Sequence, residues 1–270
     1  MSIGSFCLIK NEAPWIAPHI LQVLDHIDEM VFFDGNSTDG TLEIIEKIQA
    51  THPNGKKIKL FKDRDPKDLK DDYVRLSNDA MWALSTDWAV FLHPDMFVVD
   101  PAQLATFGKH DDGVAGTCHI RSFAGEPGGQ LYEIKEGRAA KWKNIYRLRN
   151  PDLGAHYFGH YGAVQEDVYF SEITGNEHIF HGEDFSRYPY NILDSNIEIL
   201  HFSDVRTYER RLDRMKKCLA HQGLREPHLS ECALTHPRVT LKNARNFQFV
   251  KANYPPDFLS LKYQMEKTLA

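Results

Sequence analysis

The segment Trp88–Val99 reads WAVFLHPDMFVV. An apolar run of strand type, Trp88 to Leu92, stops at His93-Pro94-Asp95, and apolar residues then resume. Proline lacks a backbone N–H and locks φ, so it interrupts a buried strand. The carboxylate beside it needs water or a partner. A plain turn would supply water. A metal-binding edge at the end of a buried strand would supply a partner.

The residues before it repeat the pattern. Ile3–Ile9 is an apolar run that ends at Lys10-Asn11-Glu12, and Ala13–Ile27 follows with apolar residues at helical spacing. Met30–Phe33 ends at Asp34-Gly35-Asn36, and a helix pattern runs from Thr41 to Ile48. Lys57–Phe61 ends near Asp63-Arg64-Asp65, and a third helix pattern covers Tyr73–Leu84. Strands that alternate with helices predict an α/β fold with a mostly parallel sheet between helices. Ligands of such sheets bind beyond the carboxyl ends of the strands. Four polar strand ends on one edge would make one site.

Composition narrows the class. At 270 residues the chain suits one large domain or two small ones, and 42% hydrophobic with 26% charged residues is the mix of a soluble globular protein. A net charge of −6 offers no basic field to recruit nucleic acid. No window approaches the roughly 18 apolar residues of an integral membrane segment. MSIGSFCLIKNE reaches a charge too early for a signal peptide. Cys7, Cys118, Cys218 and Cys232 form no CxxC pair, and Cys7 and Cys118 sit in apolar runs as small buried thiols. A reduced, cytoplasmic protein fits, with or without peripheral attachment to a membrane.

GNSTDGT, Gly35–Thr41, links the second strand to the second helix. Ser37 or Thr38 is placed to cap that helix. A cap leaves Asp34 unexplained, and a strand-end carboxylate there can accept hydrogen bonds from a nucleobase imide or a ribose hydroxyl.

Taken together, KNEAPWI, MVFFDGNSTDGT and RLSNDAMWALSTDWAVFLHPDMFV resemble the start of a family 2-type glycosyltransferase with the GT-A fold. In that family a strand runs into D-x-x-S-T-D-G-T and a later strand ends in a D-x-D motif. The resemblance covers residues 3–99 in order and spacing. It implies a nucleoside diphosphate sugar donor, a UDP-sugar foremost, and a carbohydrate or lipid-linked acceptor. Asp34 and Glu12, with Asn36, would line the nucleoside pocket. Arg75 or Lys67 would face the diphosphate. Asp95 would hold a divalent metal. The family's first aspartate of D-x-D is here His93. If His93 is a ligand, Mn²⁺ is favoured over Mg²⁺, because Mn²⁺ tolerates imidazole. The resemblance also implies a late metal-ligating histidine, for which His201 stands at the end of the apolar run Ile197–Phe202.

The second half matches the family loosely. Gly113–Arg121 reads as a strand, GEPGG at Gly125–Gly129 as a turn, and Lys141–Arg149 and Tyr157–Phe170 as strands and loops. An inverting transfer needs a carboxylate to take the acceptor's proton. The segment HGEDFSRYPY offers Asp184 first and Glu183 second, with Asp152 and Glu166 as further candidates. GAHYFGHYG places His156, His160 and Tyr161 among glycines, and sugars stack on aromatic faces, so these residues with Trp142 are candidates for an acceptor or sugar pocket. Asp204–His221 reads as a charged amphipathic helix, and further helix patterns lie around 240–252 and 256–269.

The organisation expected is a catalytic domain over 1–203, with a nucleotide-binding half at 1–99 and an acceptor half at 100–203, then a C-terminal helical extension over 204–270. The expected activity is metal-dependent, inverting sugar transfer in glycan or polysaccharide synthesis. A sugar-phosphate nucleotidylyltransferase would want a glycine-rich loop after the first strand, where Lys10-Asn11-Glu12-Ala13-Pro14 stands. A non-catalytic carbohydrate- or nucleotide-binding protein on the same scaffold is the other alternative.

Overall fold

The computed structural model describes residues 1–66, 71–113, 115–125, 131–136, 141–148, 157–158, 166–171, 176–181, 192–205 and 247–252. The chain divides into two units, one of Met1–His119 with Lys141–Ile199 and one of Ile120–Ala140 with Leu200–Ala270.

In the first unit the order is β1 (Ile3–Ile9), α1 (Ala13–Val23), β2 (Glu29–Asp34), α2 (Thr41–Thr51), β3 (Ile58–Phe61), α3 (Asp71–Trp82), β4 (Trp88–Phe91), β5 (Met96–Val98) and α4 (Ala102–Phe107). Strand β6 (Ala115–Gly125) passes into the second unit, which holds β7 (Leu131–Glu136). The first unit resumes with β8 (Lys141–Arg147), β9 (Tyr157–Phe158), β10 (Glu166–Ser171) and β11 (Asn176–His181). Strand β12 (Ile192–Val205) again crosses between units, and β13 (Phe247–Ala252) lies in the second.

The alternation of apolar runs and helical patterns is borne out. β1 lies between β2 and β4, β3 lies beyond β2, and all three pairings are parallel. β8 adds to β4 antiparallel, and the first part of β6 adds to β8. In the second unit β7 pairs antiparallel with the end of β6 and with β13. A separate antiparallel sheet joins β9, β10 and β11.

Helices cover both faces of the parallel strands. Side chains alternate along a strand. Cys7 and Phe32 share the α1 face, where His19 of α1 meets Phe32 edge-on at 6.2 Å. Gly4 and Phe6 share the other face, beside Leu84 just after α3. The core between is largely apolar, with Ile16, Ile20, Val31, Val90 and Leu92 buried and His19 and Ser5 among its few polar members. Trp88, the largest fully buried side chain among the described residues, donates its indole N–H to the His110 carbonyl at 3.0 Å.

The amino ends of the strands are tied by carboxylates. Asp87 accepts from the Ser2 amide at 2.8 Å and its hydroxyl at 2.9 Å, and Asp28 accepts from the Ile3 amide at 2.9 Å. Glu29 accepts from Ser85 and meets Lys59 at 3.0 Å. β3 closes one end of the sheet, and the lysines on and beside it are engaged: Lys57 Nζ donates to the Leu24 and Ile27 carbonyls, and Lys62 meets Glu46 at 2.6 Å.

Two expectations change. His201 is not at a strand end, because β12 continues through it to Val205 and residues 204–205 extend the strand instead of opening a helix. The buried positions Ile197, Ile199, Phe202 and Val205 carry that strand on. Residues 247–252, read within a helix pattern, form β13, whose Phe247 and Phe249 alternate with Gln248 as a strand requires and whose backbone pairs with β7. The remainder of the helix patterns, 206–221, 240–246 and 256–269, and residues 126–129 of GEPGG lie outside the described residues.

Gly55 follows α2 where the chain turns back against it. A Cβ there would stand 2.3 Å from the Gln49 carbonyl oxygen and 2.7 Å from that of Ile48. Backbone atoms cannot rotate away as a side chain can, so Gly55→Ala is expected to lose about 1–3 kcal/mol of stability. Urea denaturation with an unchanged midpoint would contradict the close approach.

Candidate active site

The parallel register brings the carboxyl ends of β1, β2, β3 and β4 to one edge. The loop after β2 is then sewn to the start of α1. The Asn11 amide donates to Ser37 Oγ at 2.9 Å, the Glu12 amide to Thr41 Oγ1 at 2.8 Å, and the Ala13 amide to Asp39 Oδ2 at 3.1 Å. In return the Thr38 amide donates to Asn11 Oδ1 at 2.8 Å, and the Gly35 amide to the Ile9 carbonyl at 2.8 Å. The amides at a helix start have no intrahelical acceptor. Here a distant loop supplies it. Ser37 and Thr38 therefore do not cap α2, as local sequence suggested. The cap position of α2 is Gly40, with φ +95° and no side-chain cap bond.

Each of the first three strands leaves the edge by the same step. Two residues after the last strand residue stands a non-glycine residue in left-handed conformation: Asn11 (φ 57°) after β1, Asn36 (φ 60°) after β2 and Asp63 (φ 59°) after β3. Asn and Asp tolerate this region better than other side chains. Lys10 and Asp65 then join in an exposed ion pair at 2.8 Å.

Inside this edge lie carboxyl groups. Asp34 is 1% exposed. Its Oδ2 accepts from the Ser37 amide at 3.0 Å, while its buried Oδ1 has no hydrogen-bond donor among the described residues. Asp95 is 5% exposed and occupies a tight turn closed by the Met96 amide donating to the His93 carbonyl at 2.9 Å. Pro94 in the turn's second position supplies the φ such a turn needs. His93 is half-buried, with its ring edge-on to Phe91 at 4.5 Å. Cys7, fully buried beneath, has its thiol pushed well up by burial and then by the Glu12 and Asp95 carboxylates. His19, also fully buried, is held down to about 4, by desolvation against the opposing influences of Met96 and Asp95.

The other candidates separate. Asn36 is exposed at its left-handed step. Arg75, in α3, is exposed and pairs with Asp79 at 3.1 Å. Trp142 lies on β8 opposite Cys118. His201 lies within β12, in the second unit. Glu166 begins β10. Lys67, Asp152, His156, His160, Tyr161, Glu183 and Asp184 lie outside the described residues. Among the described residues no group of three or more His, Cys, Asp or Glu gathers to hold a metal, and no helix is long and apolar enough to cross a membrane. Cys7 and Cys118 are buried free thiols, as their apolar settings suggested.

Sequence reasoning missed Gln22 and His19 of α1, which bond to β5 (Gln22 Nε2 to the Met96 carbonyl at 3.2 Å, His19 Nδ1 to the same carbonyl at 3.3 Å). The only signal was a histidine inside the buried stripe Trp15, Ile16, Ile20, Val23.

The sequence model of glycosyl transferase family 2 matches residues 8–173, and the chain belongs to that family. It is a glycosyltransferase, with the GT-A-like α/β architecture the resemblance implied. No curated protein sequence matches the chain. Similar solved structures include the mannosyltransferase PcManGT from Pyrobaculum calidifontis in complex with GDP-Man and Mn²⁺, at 14% identity and TM-score 0.47, covering 100% of this chain and 81% of that one. S. aureus TarS 1-349 in complex with UDP has 15% identity and TM-score 0.38, with 90% and 77% covered. Glucosyl-3-phosphoglycerate synthase from Mycobacterium tuberculosis has 14% identity and TM-score 0.42, with 84% and 81% covered.

Asp39 gives the sewn edge a pH signature. Burial alone would raise its carboxyl, but bonds from the Thr41 hydroxyl and the Ala13 and Thr41 amides outweigh it and hold it below the ordinary 3.8. A lowered folded value stabilises above the unfolded value and is lost as pH falls through the folded one. Wild type is therefore expected to exceed Asp39→Asn in stability near neutral pH, with the gap closing below about pH 4. Urea midpoints of both proteins across that range check this, and a gap independent of pH counts against it.

Proposed function

We propose that this chain transfers a sugar from a nucleoside diphosphate sugar, with a UDP-sugar favoured, to a hydroxyl of a carbohydrate or lipid-linked acceptor, with inversion and with a divalent metal. The observation that carries this is Asp34 Oδ1, a buried carboxyl oxygen without a donor among the described residues at the ligand edge of a parallel sheet. Leaving such an acceptor unsatisfied costs about 1–3 kcal/mol. At the amino ends of the same strands Asp28, Asp87 and Glu29 have donors. A ribose hydroxyl or nucleobase imide supplies the donor that Asp34 lacks.

Glu12 lines the same pocket, with Asn36 at its exposed rim, and Arg75 and Lys67 are the cations assigned to the diphosphate. The donor set at the turn fits a metal in part. Asp95 gives oxygen and His93 nitrogen from one four-residue turn, a combination that suits Mn²⁺ better than Mg²⁺. When bound, the metal neutralises charge on the departing diphosphate. His201 enters this reading through the family resemblance alone. Asp184, or Glu183, takes the acceptor hydroxyl's proton as the oxygen bonds to the anomeric carbon and the bond to the nucleotide breaks. His156, His160, Tyr161 and Trp142 are assigned to the sugars.

The test is calorimetric titration of UDP and GDP with and without MnCl2. Asp34→Ala is expected to weaken the bound nucleotide about 10–100-fold in both conditions. Asp95→Ala is expected to abolish only the enhancement by Mn²⁺. Release of nucleotide from UDP- and GDP-sugars should follow the same pattern. A wild type that binds neither nucleotide, or binding indifferent to Asp34→Ala, overturns the reading.

A further inference from the structure

We infer that Gln22 and His19, on α1, are positioning residues for Asp95, because they hold the exit of the turn that carries it. This rests on the reading of Asp95 as a metal ligand.

β5 begins directly after Asp95 and has two hydrogen-bonding sides. On one side the Val99 amide, just past the strand, donates to the Glu198 carbonyl at 2.9 Å, and β5 pairs with β12. The other side presents the Met96 carbonyl and the Val98 amide, since residues two apart along a strand point their backbone groups the same way. No strand is bonded there among the described residues. The side chain of Gln22 takes its place. Its Nε2 donates to the Met96 carbonyl at 3.2 Å, and its Oε1 accepts from the Val98 amide at 3.0 Å. One carboxamide thus matches the donor and acceptor that a neighbouring backbone would offer. Glutamate could not do this, for it has no donor when ionised.

His19 adds a second donor. Its Nδ1 lies 3.3 Å from the same Met96 carbonyl. A carbonyl only accepts, so the proton is on Nδ1. The ring is fully buried, and its Nε2 has no hydrogen-bond partner among the described residues. A buried polar group left half-satisfied is costly, and an apolar residue would fill this place in the α1 stripe more cheaply. The geometry gives it one bond, and that bond is to the residue after Asp95.

The Met96 amide closes the turn and the Met96 carbonyl is clamped from α1. The Leu92 amide, donating to the Phe6 carbonyl at 3.4 Å, anchors the approach from β1. Asp95 therefore sits on a turn fixed at both ends. Residues that orient metal ligands without touching the metal commonly change affinity about 10–100-fold when altered.

The experiment is titration of MnCl2 into the full chain with UDP or GDP, compared for wild type, Asp95→Ala, Gln22→Met, His19→Phe and His19→Asn. Gln22→Met and His19→Phe keep the bulk and lose the bonds. They are expected to weaken Mn²⁺ about 10–100-fold while leaving metal-free nucleotide affinity unchanged. His19→Asn, whose side-chain amide can donate from near the place of Nδ1, is expected to restore wild-type Mn²⁺ affinity. Thermal melting of each variant reads stability separately. If Gln22→Met and His19→Phe melt earlier but bind Mn²⁺ as wild type does, while Asp95→Ala does not, the inference fails and the metal reading stands. Should Gln22→Met not fold, the His19 pair decides, and equal Mn²⁺ affinity in His19→Phe and His19→Asn overturns it. A wild type with no Mn²⁺ dependence removes the metal reading, and the inference with it.

Discussion

The start of α1 depends on side chains that lie 26 to 29 residues later in the chain. Three successive amides, Asn11 to Ala13, emerge from β1 with no acceptor of their own, and Ser37, Thr41 and Asp39 provide one each. Unsatisfied amides of this kind cost free energy wherever water is kept out. Their partners lie on a loop whose position is set by β2, parallel to β1 with Ile9 beside Asp34. Register, loop and helix start are thus one arrangement. A slip of β2 by one residue would turn Asp34 to the opposite face and move every acceptor off its donor. It also means that the α1 amino end is already occupied by protein groups and does not serve as a cradle for phosphate.

The two ends of the parallel strands differ in kind. At the amino ends the carboxylates of Asp28, Asp87 and Glu29 serve the fold, each accepting from backbone or hydroxyl donors that the chain itself supplies. At the carboxyl ends Asp34 and Asp95 are buried, and the Cys7 thiol beneath is pushed up by burial first and then by the Glu12 and Asp95 carboxylates. Concentrating negative charge in a low-dielectric edge is unfavourable unless a cation or a donor-rich ligand joins it. The nucleotide-sugar and cation proposed above would bring both.

Much of this was legible in the sequence. Apolar runs of strand length broken by Asp34, Asp63 and His93-Pro94-Asp95 place the strand ends, and alternation with helices makes the strands parallel, so the gathering of those ends follows. What could not be read is non-local. Ser37 and Thr38 look like local caps, because Ser and Thr usually are; only the pairing of β1 with β2 brings α1 within their reach. Gln22 looks like a surface residue, and nothing in spacing says that its amide faces a backbone 74 and 76 residues away. The end of the apolar run Ile197–Phe202 puts His201 at a strand end, yet β12 continues through it to Val205. The helix pattern around 240–252 fails at β13, because a short apolar run such as FQFV fits either period.

Among the described residues β3 is the outermost of the parallel strands, a position where unpaired backbone donors and acceptors can recruit another strand. It is only four residues long, and Lys57, Lys59 and Lys62 line its course. Each lysine already serves the fold, at the α1 terminus, at Glu29 and at Glu46. The same charges therefore discourage accretion: a second chain approaching in register would have to bring lysine against lysine. The lysines that tie β3 to its own fold thus also leave this flank a poor template for another strand.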